Sequence, residues 1–121
     1  MKRLILASVA LLAIVFGATA GVFSAGTASA ANHNVSISGF AFNPGSITVA
    51  VGDTVTWANN DSVPHTATSA SGVTPAFDTN NIQPGTSASV TFNQAGTFSY
   101  FCKIHPNMTG TVIVTAASAS P

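Results

Sequence analysis

Gly96-Thr97-Phe98-Ser99-Tyr100-Phe101-Cys102-Lys103-Ile104-His105-Pro106-Asn107-Met108-Thr109-Gly110 changes character part-way along. Phe98, Tyr100 and Cys102 recur at every second residue, the period of a β-strand. Val112, Ile113 and Val114 then lie between Thr111 and Thr115 and read as the next strand. The residues between are a loop joining two strands, stiffened by Pro106. The same period runs outward from there. Val35 and Ile37 alternate with Ser36 and Ser38; Ile47, Val49 and Val51 with Thr48 and Ala50; Val55 and Trp57 with Thr54 and Thr56; Val90 and Phe92 follow suit. Turn chemistry separates these runs at Asn43-Pro44-Gly45, Gly52-Asp53, Asn59-Asn60-Asp61, Pro84-Gly85 and Gln94-Ala95-Gly96. Ser69 to Gln83 alternates weakly and reads as a long connection with a short strand or turn near Phe77. No repeat and no 3.6-residue periodicity is visible after residue 30. Seven or eight short strands in about ninety residues predict an all-β, antiparallel sandwich or barrel.

The first thirty residues are of another kind. Lys2 and Arg3 precede an apolar or small run from Leu4 to Ala20, and Ala28-Ser29-Ala30 supplies an A-x-A cleavage pattern. This order predicts a signal peptide over 1–30 and an exported single domain over 31–121, whose small-residue tail frays. An uncleaved membrane anchor is the alternative, and only then does the protein meet a membrane. Export places it in a periplasm or on an extracellular face. Beyond residue 30, Lys103 alone opposes Asp53, Asp61 and Asp78. Charged residues are 5% of the chain against roughly 25% in an average domain. No basic patch is present to neutralise phosphates, which argues against nucleic acid.

Cys102 is the one cysteine, so no internal disulfide forms. A lone thiol in an oxidising compartment needs protection, and metal ligation provides it. His105 and Met108 follow it in a C-x2-H-x2-M spacing. His65, after Pro64, joins them if the fold brings its turn to the loop, as a Greek-key sandwich with clustered end loops can. Two imidazoles, one thiolate and a weak thioether suit type 1 copper. Structural zinc recruits four Cys or His ligands and catalytic zinc keeps an open position, so methionine suits neither. Each residue alone has a blander reading: His65 as a turn residue, Met108 as core, Cys102 as a small buried hydrophobe.

Gly52-Asp53-Thr54-Val55-Thr56-Trp57, Pro64-His65-Thr66 and Gly96 to Gly110 together resemble the small blue copper proteins of the plastocyanin and azurin family. The resemblance covers Val35 to Thr115, and the short loop is most similar to that of the amicyanins. It implies a cupredoxin-like Greek-key β-sandwich, one type 1 copper ion cycling between Cu(I) and Cu(II), and one-electron transfer by a monomer between larger redox partners. It also implies that these partners dock on an apolar surface around the His105 ring edge. Two positions depart from the family. Thr66 replaces the asparagine whose side chain ties the two ligand loops, and a hydroxyl can make a similar bond. Phe98 stands where relatives often carry tyrosine. By position, the Thr66 amide is the expected donor to Cys102.

Rival functions leave different marks. A copper oxidase or reductase needs a second cluster announced by His-x-His pairs or histidines flanking the cysteine; Cys102 is flanked by Phe101 and Lys103. A copper storage or delivery module favours Met-rich or paired-cysteine sites. Cleavage after Ala30 would start the chain Ala31-Asn32-His33. An amine, two amides and an imidazole there suit a square-planar copper(II) or nickel(II) chelate, with a solvated histidine as the simpler reading. The sequons at Asn34, Asn60 and Asn107 read as accidents of an Asn/Thr-rich chain.

Overall fold

The alternating runs become strands in the computed structural model, which describes residues 29–116. Most of the signal segment and most of the expected tail lie outside the described residues. The strands are β1 (Asn32–Ser38), β2 (Ala41–Asn43), β3 (Ser46–Ala50), β4 (Thr54–Asn59), β5 (Thr68–Ser69), β6 (Ser87–Thr91), β7 (Gly96–Phe101) and β8 (Thr109–Thr115). They form two four-stranded sheets, ordered β2-β1-β4-β6 and β3-β8-β7-β5, with no helix among the described residues. The expected all-β sandwich is therefore present, with eight strands. Its sheets are mixed rather than antiparallel. β1 runs parallel to β4, and β3 runs parallel to β8. Alternation marks which face a side chain takes and carries no strand direction, so this was invisible in the pattern.

Period two sorts the core. In β4, Val55 and Trp57 face inward; in β8, Val112 and Val114 do. They meet Val35, Ile37, Phe42, Val49, Phe92, Phe98 and Tyr100. Trp57 and Tyr100 pack edge to face, 5.3 Å between centroids. Tyr100 crosses the β7–β8 ladder opposite Gly110, where a Cβ would come within 2.4 Å of its ring. Glycine is required there by space.

The same β4 parity puts Asn59 inside, 1% exposed, at the end of the strand. Ser69 to Gln83 is the long connection expected, with β5 at its start and single bridges His65–Ile82 and Thr68–Asp78 in place of a strand at Phe77. Through the His65 bridge, the backbone of His65 is tied to Ile82 by reciprocal bonds of 3.2 and 2.7 Å. The connection carrying His65 and the loop carrying Cys102 and His105 thus meet at one place in the sandwich.

Candidate metal centre

The loop from Cys102 to Met108 is held by its own backbone. The Cys102 N–H donates to the Met108 carbonyl (3.0 Å), and the Met108 N–H donates to the His105 carbonyl (2.9 Å). These bonds turn the loop back on itself. Cys102 is fully buried, Met108 is buried, and His105 is half-buried.

His65 reaches the same point from the β4–β5 connection and is fully buried. Its position depends on Asn59. The Asn59 side-chain amide donates to the carbonyls of Val63 and Ile82, both at 2.8 Å, and its oxygen accepts from the Asp61 N–H at 2.9 Å. A buried amide with its donors and acceptor satisfied locks the turn that carries His65.

His65 Nε2 lies 2.8 Å from Asp61 Oδ2. An ionised carboxylate only accepts, so the ring proton belongs on Nε2 and Nδ1 carries a bare lone pair. That lone pair faces the other two groups. Nδ1 of His65 is 3.7 Å from Cys102 Sγ and 3.2 Å from His105 Nδ1, and Sγ is 3.9 Å from His105 Nδ1. Metal–ligand bonds of about 2.0–2.3 Å in a trigonal plane separate donor atoms by roughly 3.5–3.7 Å. The triangle therefore suits one ion at its centre. His65, Cys102 and His105 are also the only such metal-binding group among the described residues.

Outer contacts fix the ligand loops to each other. The Thr66 N–H donates to Cys102 Sγ at 3.3 Å, as position suggested. The Thr66 hydroxyl oxygen accepts from the Lys103 N–H at 2.9 Å, so the loop tie survives the exchange of asparagine for threonine. Asp61 also accepts from the N–H groups of Gly39 (2.8 Å) and Phe40 (2.9 Å). Burial pushes the Asp61 carboxyl up, but these two amides and the His65 ring outweigh it and hold the group below its ordinary range. Gly39 and Phe40 both have positive φ, 62° and 59°. For phenylalanine this conformation costs about 1–2 kcal/mol. The strain places the Phe40 ring edge to face on both histidines, 5.3 Å from His65 and 4.9 Å from His105.

Sequence reading found the four ligand candidates and missed Asn59, Asp61 and Phe40. Asn59 and Asp61 were legible as turn residues only. Phe40 follows Gly39 outside any visible period.

Comparison with known proteins agrees with this geometry. The profile of the copper binding proteins of the plastocyanin/azurin family matches residues 29–115. The amicyanin of Paracoccus versutus is 37% identical over 70 residues, covering 56% of this chain and 53% of that protein. The chain spans about half the length of the Paracoccus amicyanins it matches. Amicyanin-alpha of Methylorubrum extorquens is 31% identical over 116 residues, covering 84% of this chain and 98% of that protein. Among solved structures, a copper(I) amicyanin variant superposes with a TM-score of 0.65 at 34% identity, covering 69% of this chain and 82% of the other. The converging donors, the sandwich and the matched profile together place this chain in the plastocyanin/azurin family of copper binding proteins.

Proposed function

We propose that His65, Cys102, His105 and Met108 hold one type 1 copper ion and that the protein is a one-electron carrier. The observation that carries this reading is the triangle of His65 Nδ1, Cys102 Sγ and His105 Nδ1, aimed at one point by Asp61 behind His65. Copper bound there supplies a Cu(II)/Cu(I) couple, for which thiolate and thioether suit the reduced state and imidazole the oxidised one. The backbone bonds around Cys102, Asn59 and Thr66 hold the donors in place independently of the ion, so little rearrangement accompanies a change of charge. Met108 is the fourth ligand by the chemistry of its thioether and its buried place in the loop.

His105 would be the ligand through which an electron passes between bound copper and a partner. Of the two rings, only that of His105 reaches the surface. Phe40, 52% exposed, and Ile104, 41% exposed, are the exposed large hydrophobic residues among those described, and Phe40 packs on the His105 ring. With exposed Pro106 beside them, they make an apolar docking surface for a redox protein. Lys103, the one cation nearby, is paired with Asp78 at 2.5 Å. Docking therefore depends weakly on salt. Export of the chain, its action as a monomer and its lack of enzymatic activity belong to the same reading.

Copper storage or delivery is the rival. Cyclic voltammetry separates carrier from store. A carrier gives a reversible one-electron wave with copper stoichiometry unchanged over many cycles. Loss of copper on reduction would favour storage.

A further inference from the structure

Asp53 is a buried carboxylate outside the metal-binding group, 6% exposed, in the turn between β3 and β4. Its Oδ2 accepts from the Ala50 N–H at 2.9 Å and lies 2.9 Å from His33 Nε2. Its Oδ1 accepts from the backbone nitrogen of Ala31, also at 2.9 Å. The amides of Ala50 and Ala31, then His33, draw its pKa down to about 2.

Among the described residues, Ala31 is the first with hydrogen bonds to the sandwich. Its nitrogen sits on Asp53, and its carbonyl accepts from the Thr54 N–H at 2.9 Å. Ser29 and Ala30 are exposed and outside any strand. The small residues Ala28 and Ala30 occupy the places a signal peptidase reads before the bond Ala30–Ala31.

We propose that Asp53 is the receptor for a new N-terminus made by cleavage at Ala30–Ala31. Water adds across that peptide bond, leaving a carboxyl group on Ala30 and an amine on Ala31. At neutral pH the carboxyl gives up its proton and the amine takes one up, so the net products are a carboxylate and an ammonium. A neutral amide donor 2.9 Å from Asp53 Oδ1 thereby becomes an ammonium, with no movement of the chain. A carboxylate within hydrogen-bond distance of a full positive charge stabilises that charge. Processing thus locks the edge of β1 against the β3–β4 turn, and the folded domain is more stable after export than before it. The inference is independent of copper.

The same geometry answers the question of a second metal at Ala31-Asn32-His33. The amine and the imidazole are both engaged by Asp53, and residues 32 and 33 lie in register with Thr54 and Val55. A square-planar chelate would have to pull the start of β1 out of its sheet.

Asp53 is the titratable group on the Ala31 nitrogen, and His33 sits on the other oxygen of the same carboxylate. The two pH limbs have opposite origins. The Asp53 contribution is full above its unfolded value near 3.8 and is lost as pH falls toward about 2. The amine, its pKa raised by Asp53, contributes below its unfolded value and loses that contribution as pH rises through the folded one.

The test uses protein purified after export. Mass spectrometry should show a chain starting at Ala31. NMR titration of its α-amine should give a pKa above the ordinary value of about 8. One extra glycine before Ala31 should lower the thermal midpoint at neutral pH, and Asp53→Asn should abolish that difference. A start at another residue, or an amine titrating at its ordinary value, overturns the proposal, and neither result depends on a variant that folds poorly.

Discussion

The two loops that meet at the metal centre are held by different means. The β7–β8 loop closes largely on itself: Cys102, His105 and Met108 lie within seven residues, and its backbone-to-backbone bonds run among those same residues, with one further tie from the Lys103 N–H to Thr66. The β4–β5 connection delivers one group, His65, and needs the rest of the molecule to do so. Asn59 ties it to Ile82, 23 residues away, and Asp61 ties it to Phe40, 21 residues away. The first loop can keep its shape through changes elsewhere. The second transmits them, so it is where the site can be loosened without touching a ligand.

Asn59→Ala should have the largest effect. It strips the partners from the Val63 carbonyl and the Asp61 N–H, each costing about 1–3 kcal/mol if left unpaired, and one of two donors from the Ile82 carbonyl, which keeps the His65 N–H. Partial relaxation leaves an expected loss of about 3 kcal/mol in urea unfolding of the copper-free protein. A loss below about 1 kcal/mol would mean that the connection is held by something other than this amide.

Asp61→Ala should act on the metal rather than the fold. Removing the group behind a ligand histidine weakens metal binding by about 10- to 100-fold. Competition with a chelator measures it, and the reduction potential should move as well. Unchanged affinity and potential would show that His65 is oriented without Asp61.

Thr66→Val comes next. It removes the hydroxyl that accepts from Lys103 but leaves the backbone N–H on Cys102 Sγ. A cost of about 1 kcal/mol in stability is expected, with the copper–thiolate absorption retained. Loss of that absorption would make the hydroxyl part of the site itself.

Phe40→Ala should change stability least, by no more than about 0.5 kcal/mol, because the side chain is half in solvent. Its effect should appear in kinetics instead. Electron transfer to a redox protein should slow, while the dependence on ionic strength stays shallow. A steep salt dependence would contradict docking through an apolar surface.

How much of this was legible follows from the same contrast. Cys102, His105 and Met108 are close in sequence, so their spacing alone exposed the loop. His65 was visible because soft donors are scarce in this chain, leaving few candidates to complete a set. The support around His65 was hidden. Asn59-Asn60-Asp61 has the composition of a turn, and the chain does bend at Asp61, but composition cannot tell that Asn59 still belongs to β4 and turns inward or that Asp61 reaches two amides on another turn. Those facts depend on β4 parity and on β1 lying beside β4. The strands were legible where they span two or more periods; β2, three residues long, is too short to show one. Strand direction was not legible at all, because an alternating pattern reads the same in a parallel and an antiparallel pair.

The central claim is that Cys102 binds copper together with His65, His105 and Met108. Visible absorption of the purified protein during titration with copper(II) tests it most directly. The account predicts an intense band toward the red end of the visible spectrum that saturates with the type 1 site and is absent from Cys102→Ser. A colourless copper complex, or a band that survives Cys102→Ser, would contradict it.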